Sequence, residues 1–443
     1  MSTLNRRGFL QGAAAIAALA ACEAPKRACD PEGNGDCARP RPGLPDGVYF
    51  AQLAADLEAA DLGTPQILID LDALDSNADA IAGGISADRY RIVEKSLPSL
   101  DLLGYVHGRT GVDRFMVMHL PFLPGILRAF PTAAVLIGKP QPIGAVRRLF
   151  RAFTAAELQS VAARVHFLVD SRARAEELVA LSSELGVVLN AAAEIDIGLH
   201  RGGIRYPSKL GDVLSVFDEA RLRFTGMMGY DGHVTNAPAL PGLEESAARA
   251  TWKTAMTFYD AFIAVLRNEF PALWRDDLIF NSGGTSTYSL YTSGPVNDVS
   301  AGGGMLRPGT YASMFIPALK PAIFLAAPVL THSDTVELPF VKTIGEAIYD
   351  GMQGFTMYGG GWPGEIVWPK GVESAPFVSG EHNENLVPNQ SWMIAPGSPR
   401  IGPGDWIFHY PKEADAIFQF EDILLVRGGR LQTDTWRAFP RRY

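Results

Sequence analysis

Cysteine is nearly missing from this chain of 443 residues. Only Cys22, Cys29 and Cys37 carry a thiol, and everything from Ala38 to Tyr443 has none. That excludes a thiolate nucleophile, a zinc ribbon or an iron–sulfur cluster in the main body. An excess of positive charge is missing too: 39 basic against 48 acidic residues leave a net charge of −9, with no basic stripe. A duplex needs positive charge to displace its counterions, so no nucleic-acid partner is expected. The chain has no Gly-x-Gly-x-x-Gly after its first predicted strand, which argues against a dinucleotide fold, and no internal repeat. Disorder is excluded for the bulk by a hydrophobic content of 47%, enough for a sizeable core.

What is present begins with an address. Residues 5–10 read Asn-Arg-Arg-Gly-Phe-Leu, and an apolar run from Gly12 to Ala21 ends in Leu19-Ala20-Ala21-Cys22. The run is too short to span a bilayer and has the layout of a secretory signal. The arginine pair resembles a twin-arginine signal, which exports folded proteins, and Leu-Ala-Ala-Cys resembles a lipobox whose cysteine, Cys22, is lipidated. The expectation is a periplasmic protein that meets the membrane only through an N-terminal lipid anchor. An uncleaved N-terminal anchor is the alternative. Residues 23–60, rich in Pro and Gly at the start, read as a linker. Cys29 and Cys37 lie within it, and the sequence leaves open whether they pair.

Beyond the linker, short β-branched runs alternate with longer amphipathic ones. Predicted strands are Gln66–Leu71, Tyr90–Lys95, Arg114–His119, Ala133–Gly138, Val165–Asp170, Val187–Ile197, Arg223–Tyr230 and Asp277–Ser282. Helical patterns such as Asp75–Ala82, Ala173–Leu185 and Glu244–Phe270 lie between them. Several strands are apolar at consecutive positions, as parallel strands buried on both faces are. Eight such alternations over about 250 residues predict a (β/α)8 barrel across residues 61–320, with an open doubly wound sheet as competitor. From about Ala322 to the end, alternating runs such as Thr335–Lys342, Trp406–Tyr410 and Ile417–Val426 sit among Gly and Pro, predicting a smaller antiparallel β domain over residues 321–443.

Chemistry in such barrels gathers where strands end. The ends here read Val93-Glu94-Lys95-Ser96, Gly138-Lys139, Glu194 through Gly203, Tyr230-Asp231-Gly232-His233 and Asn281 through Tyr288. A lysine at a barrel mouth loses hydration, its pKa falls, and the neutral amine can form a Schiff base with a carbonyl. Lys95 and Lys139 both qualify by position, and Lys95 is equally able to pair with Glu94. Ser282-Gly283-Gly284-Thr285 offers bare amides and hydroxyls suited to a phosphate, or a plain turn. A lysine and a phosphate cradle on one rim are what pyridoxal phosphate requires.

Taken in order, these residues resemble a known group. Thr64-Pro65-Gln66-Ile67-Leu68-Ile69-Asp70-Leu71-Asp72-Ala73-Leu74 followed by Lys95 is similar to the opening of fold-type III pyridoxal-phosphate enzymes, relatives of alanine racemase. The D-threonine aldolase and D-serine dehydratase branch is the best likeness. Glu194–Gly203, Gly229–His233, Ser282–Tyr288, Leu306-Arg307-Pro308-Gly309-Thr310-Tyr311 and Ser379-Gly380-Glu381-His382 resemble that branch's later motifs, across roughly residues 60–435. The resemblance implies pyridoxal 5′-phosphate as cofactor and Lys95 as the Schiff-base lysine. Ser282, Gly283, Gly284 and Thr285 would hold the phosphate, Arg201 would stand near the pyridine nitrogen, and Tyr230 and His233 would line the pocket, His233 with a catalytic part. His200 reads as a structural hydrogen bond, and Arg307 as a salt-bridge partner.

One departure stands out. Where the branch carries a His-x-Asp or His-x-Cys metal pair after Gly-Asp, this chain has Gly404-Asp405 and then Glu413-Ala414-Asp415. Two carboxylates suit Mg²⁺, Mn²⁺ or Ca²⁺ better than Zn²⁺, while neighbouring Lys412 could neutralise one of them and His409 falls four residues early. The implied activity is a lyase on D-amino acids bearing a 3-hydroxyl, by retro-aldol cleavage or elimination, in a homodimer. A racemase of the same fold and a non-catalytic lipid-anchored binding protein are the alternatives.

Overall fold

The computed structural model describes residues 43–308, 315–316, 319–336, 347–359, 361–362, 364–375 and 390–439. The signal, Cys22, Cys29, Cys37, and the motif residues 309–311 and 379–382 lie outside these. No helix among the described residues is long and apolar enough to cross a membrane. Residues 47–59 depart from the linker reading. They form a helix, Gly47–Ala59, whose amino end is capped by the Asp46 carboxylate on the amides of Val48 and Tyr49. Phe50, Leu53 and Leu57 are buried beneath it, and that burial turns a Pro-flanked segment into structure.

Eight parallel strands close a barrel: β2 Tyr90–Val93, β3 Arg114–Val117, β4 Ala134–Ile137, β5 Val165–Val169, β6 Leu189–Glu194, β7 Leu222–Met228, β8 Ile279–Ser282 and β9 Asp298–Ala301. The predicted barrel is thus present, but its strands are shifted by one against the sequence reading. β1, Gln66–Asp70, is not a barrel strand. It runs in the second sheet, antiparallel to β10 (Ile323–Ser333) and parallel to β16 (Asp422–Arg427). Ile67, Leu68 and Ile69 are fully buried there, so their apolar run satisfies a central strand of either sheet. The eighth barrel strand, β9, went unpredicted because its residues Asp298 and Ser300 are polar yet buried.

Inside the barrel, the period-2 alternation of the strands stacks side chains in layers. At the bottom Arg91 grips Asp298 through two hydrogen bonds of 2.8 and 2.7 Å, both groups being 1% exposed. Arg91 also donates to the Phe115 and Ala134 carbonyls, Asn281 donates to Asp298, and Arg114 reaches it at 3.3 Å. Above lies an apolar layer of Met116, Leu136, Leu168, Ala192 and Met228, with Val93 and Met118 packed on it. The next inward positions up form the mouth.

The second sheet also contains β11 Met352–Tyr358, β12 Gly364–Trp368, β13 Glu373–Ser374, β14 Gln390–Pro396, β15 Trp406–Pro411 and β17 Arg430–Arg437. Its pairings are antiparallel except β1 with β16. The alternation read at Ile417–Val426 begins as a strand only at Asp422, since Ala414–Gln419 coils into 3₁₀ turns. Barrel and sheet are tied by Asn77, which donates to the Met305 and Lys320 carbonyls, and by Arg427, held by Asp72, Asp75 and the Tyr105 hydroxyl.

Two histidines, His409 buried and His166 half-buried, weaken this fold in acid. Burial, chiefly, lowers His166 in the barrel and His409 on β15 to about 4, from 6.5. Each folded pKa lies below its unfolded value, so stability is full above pH 6.5 and falls as pH drops toward 4. Denaturant midpoints should decline over that window, and His409→Leu should flatten part of the decline.

Candidate functional site

Every barrel strand delivers residues to one cavity of about 820 Å³ at its C-terminal mouth. β2 brings Lys95, β3 Met118 and His119, β4 Gly138 and Lys139, β5 Asp170, β6 Glu194, β7 Tyr230, β8 Gly283 and β9 Gly302. The second sheet closes one side with Glu413, Ala414 and Asp415.

Lys95 sits on a 3₁₀ turn, Glu94–Ser96, that follows β2. The turn is pinned by Glu94, a fully buried carboxylate that accepts from the Met118 amide at 3.0 Å and meets His119 Nδ1 at 3.3 Å. His119 in turn packs edge-on against Phe418 from the second sheet. Glu94 is therefore engaged elsewhere, and the Lys95–Glu94 pair that the sequence allowed is not formed. Among the described residues the Lys95 amine makes no hydrogen bond or ion pair, which leaves it free for a ligand in the cavity. Lys139 lines the same cavity from an exposed position.

Beside Lys95, the loops after β8 and β9 face each other. Thr285 Oγ1 accepts from the amides of Gly302 and Gly304, each at 3.0 Å, and so locks the two loops together with its own proton left to donate. A side chain at Gly304 would collide with the Thr285 methyl, so the close approach requires glycine there. The amides of Gly283, Thr285, Ser286 and Gly303 make no hydrogen bond among the described residues. Gly283 has φ +90°, a conformation that glycine accepts readily. Successive unpartnered amides of this kind form an anion-binding concavity. The Gly302–Gly304 half of it was not foreseen; the triple glycine after a strand was the available signal. Ser282 lines the cavity, but its hydroxyl is committed to the Gly229 carbonyl at 2.6 Å.

Across the mouth the wall is charged. The Arg201 guanidinium lies 5.0 Å from the centre of the Tyr230 ring, an attractive cation–π contact. Tyr230 remains 38% exposed because it stands at the lip, and surrounding protein together with Asp231 raises its phenol. Asp170 pairs with Arg174 at 3.1 Å, and both line the cavity. Glu194, which the sequence reading quoted only within a motif, is pushed up to about 7. Burial is the main cause, and Asp170 adds to it against the opposing pull of Arg201 and Arg174. A carboxyl poised near neutrality in a cleft is a candidate for proton transfer.

Two expectations part from the geometry. His233 is not among the residues that line the cavity; its ring packs against Gly198, where an added Cβ would come within 2.7 Å of Nε2. The chain turns at Asp231-Gly232, and the half-buried imidazole lies outside the cavity lining. Glu413 and Asp415 do face the cavity, yet no group of three or more metal-ligating side chains exists among the described residues. His409 is buried in the second sheet with both ring nitrogens unpartnered and is no substitute ligand there. Lys412 forms no ion pair with either carboxylate. His200 does make the expected structural bond: its Nδ1 meets Asp196 at 2.8 Å, stabilising a residue at φ +58°.

Comparison with known proteins adds to this geometry. The chain shares its fold with a D-threonine aldolase from Filomicrobium marinum at 18% identity, covering 85% of this chain and 96% of that one, with a TM-score of 0.64. A D-threo-3-hydroxyaspartate dehydratase from Delftia sp. HT23 gives 17%, 85%, 98% and 0.63 for the same quantities, and an alanine racemase from Bacillus anthracis 15%, 85%, 98% and 0.60. No curated protein sequence matches. The family model described as "Alanine racemase, N-terminal domain" matches residues 69–312, more than half of the chain. The protein therefore belongs to the alanine racemase N-terminal domain family, within the fold-type III pyridoxal-phosphate group that its Lys95 and Ser282–Thr285 motifs resemble.

Proposed function

We propose that the protein is a pyridoxal-phosphate-dependent lyase acting on D-amino acids with a 3-hydroxyl group, by retro-aldol cleavage or by elimination. The observation that carries this is the pairing, in one cavity, of a partner-free Lys95 amine with the two-loop amide cradle. The residues present fit the cofactor. Unpartnered amides of Gly283, Thr285, Ser286 and Gly303, with the Thr285 hydroxyl, suit its phosphate; Met116, Met228 and Tyr230 offer apolar and aromatic surface to its ring. When bound, pyridoxal phosphate supplies an electron sink for negative charge developing at the substrate's Cα.

The chain's own groups divide the remaining work. Lys95 Nζ anchors the cofactor and is the group we assign to move the α-proton in elimination. Glu194, near its titration midpoint at neutral pH, holds or releases a proton on the opposite wall, where we place the substrate's 3-hydroxyl. Arg201, held over Tyr230, gives a cation on the same wall to orient an anionic group. Glu413 and Asp415, without a third ligand among the described residues, fall short of a closed coordination sphere, and no step is routed through a cation. The export address at Arg6 and Arg7, the anchor at Cys22 and a homodimer belong to the same proposal and rest on sequence alone.

Incubation with D-threonine and D-serine, with and without Mn²⁺ and chelator, tests the reading. Release of aldehyde marks cleavage, release of a keto acid marks elimination, and formation of the L-enantiomer alone would replace the proposal with a racemase. In the active reaction the rate should carry a titration near pH 7 that disappears in Glu194→Gln; an unchanged profile would remove Glu194 from proton transfer.

A further inference from the structure

Behind the cradle lies a buried chain of oxygens that the proposed reaction does not use. The Gly229 carbonyl is 2.6 Å from Ser282 Oγ, Ser282 Oγ is 2.8 Å from the Tyr291 hydroxyl, and that hydroxyl is 2.7 Å from Asp231 Oδ2. Asp231 and Ser282 are each 1% exposed and Tyr291 is 3% exposed. Three hydrogen-bond links join these four oxygens, and each link needs one proton. A carbonyl provides none, Ser282 one and Tyr291 one. If Asp231 is ionised, two protons must serve three links, and two oxygens face each other at hydrogen-bond distance with nothing between them. Ser282 cannot supply two links, because its single proton is taken by the 2.6 Å contact to Gly229.

The surroundings of Asp231 point the same way. No ion pair reaches it among the described residues. Its other oxygen, Oδ1, is buried without a hydrogen-bond partner. The titratable groups that face it are Tyr291 and the adjacent Tyr230, both neutral phenols; the nearby Thr287 hydroxyl, which accepts from the Gly284 amide, favours the ionised form but by less than burial disfavours it. An unpaired carboxylate in such a place is costly, whereas the neutral acid needs only one acceptor. Burial correspondingly raises this carboxyl.

We propose that Asp231 is a positioning residue held as the neutral carboxylic acid, donating to Tyr291, which donates to Ser282, which donates to Gly229. The relay has two consequences for the cradle. It fixes Ser282, the first residue of the anion-binding loop, with its hydroxyl proton turned away from the cavity. It also keeps negative charge out of the layer behind the loop, where a carboxylate would repel a phosphate dianion. This second consequence rests on the cofactor reading above; the proton count does not.

Infrared difference spectroscopy on the full chain, stripped of cofactor, tests the count. Glu194→Gln serves as the parent chain, so that the other carboxyl titrating near neutrality adds no band, and at neutral pH it should show the carbonyl stretch of a protonated carboxylic acid. The band should be absent from Asp231→Asn and shifted in Tyr291→Phe, which removes the acceptor without touching the acid. Absence of any such band in that parent overturns the proposal, as does a band there that is indifferent to Tyr291→Phe. The Tyr291→Phe comparison stands even if Asp231→Asn does not fold. Cofactor titration tests the charge. Asparagine copies the neutral acid and donates through Nδ2, so its Kd for pyridoxal phosphate should lie within about threefold of wild type. Removing an ionised neighbour would instead tighten dianion binding by about tenfold, and that result, or an equally large weakening, would overturn the neutral assignment. Failure of the wild type to take up pyridoxal phosphate would defeat the function proposed above, while the infrared comparison would still decide where the proton is.

Discussion

Lys95→Ala protein, purified with added pyridoxal phosphate, is expected to be colourless where the wild type is yellow, and to lose at least about 10²–10⁴-fold in turnover. The size follows from what the side chain is asked to do. Lys95 is the cavity amine that stands beside the cradle, after the strand next to β9, so no second group stands ready to replace it as the covalent anchor. The magnitude given is for proton transfer alone; loss of the anchor adds to it. Lys139 lines the same cavity but sits exposed after β4, two strands further round from the β8 and β9 loops. Lys139→Ala should therefore keep the colour. Retained colour in the Lys95 variant would show that the amine had been misassigned, and the absorbance spectrum settles it without any substrate. Because the cradle is built from backbone amides and Thr285, the Lys95 variant should still take up cofactor weakly by its phosphate, and release it together with the colour on desalting, which the wild type does not.

The second large effect concerns stability. Asp298→Ala should cost roughly 3–5 kcal/mol by denaturant titration, because it leaves the Arg91 guanidinium buried and unpaired in the floor of the barrel. Burial by itself would push the Asp298 carboxyl up, but Arg91, Asn281 and Arg114 outweigh it and hold the group below the usual carboxylate range. Its folded pKa is thus depressed, so its contribution is present at neutral pH and is lost as pH falls through that lowered value. The wild-type and variant stability curves should converge in strong acid. A double replacement of Arg91 and Asp298 by apolar residues of similar volume should cost less than the single change, since neither leaves a stranded charge. Equal cost for single and double variants would mean that the pair stabilises the barrel by mutual attraction rather than by avoiding an orphan.

Much of the architecture was readable from local pattern. β3 to β8 were predicted within a few residues because each carries a run of apolar residues bounded by turn residues, and burial on both faces leaves that signature. The swap of β1 for β9 shows the limit of the same signal. Ile67–Ile69 would be buried at the centre of either sheet, so hydrophobicity announces a strand without naming its partners. Asp298-Val-Ser-Ala hides a strand because its inward side chains are matched to Asn281 on the preceding strand and to Arg91, 207 residues earlier. Helix Gly47–Ala59 was missed for a related reason: Pro40, Pro42 and Pro45 mark the approach to it, and its stability comes from Phe50, Leu53 and Leu57 packing on the second sheet.

The candidate site divides along the same line. Its ordered motifs, with a lysine after one strand and Ser-Gly-Gly-Thr after another, were determined by the amino-acid sequence, because a residue's type and its place at a strand end are properties of the local chain. Which lysine stands beside the cradle, that Gly302–Gly304 completes it, that His233 does not line the cavity, and that Glu194 titrates near neutrality were decided only by the tertiary structure. Each of those depends on a distance or a desolvation set by residues from other strands. Charge state and hydrogen-bond partnership respond to neighbours within a few ångströms, and in a closed barrel those neighbours come from all round the ring.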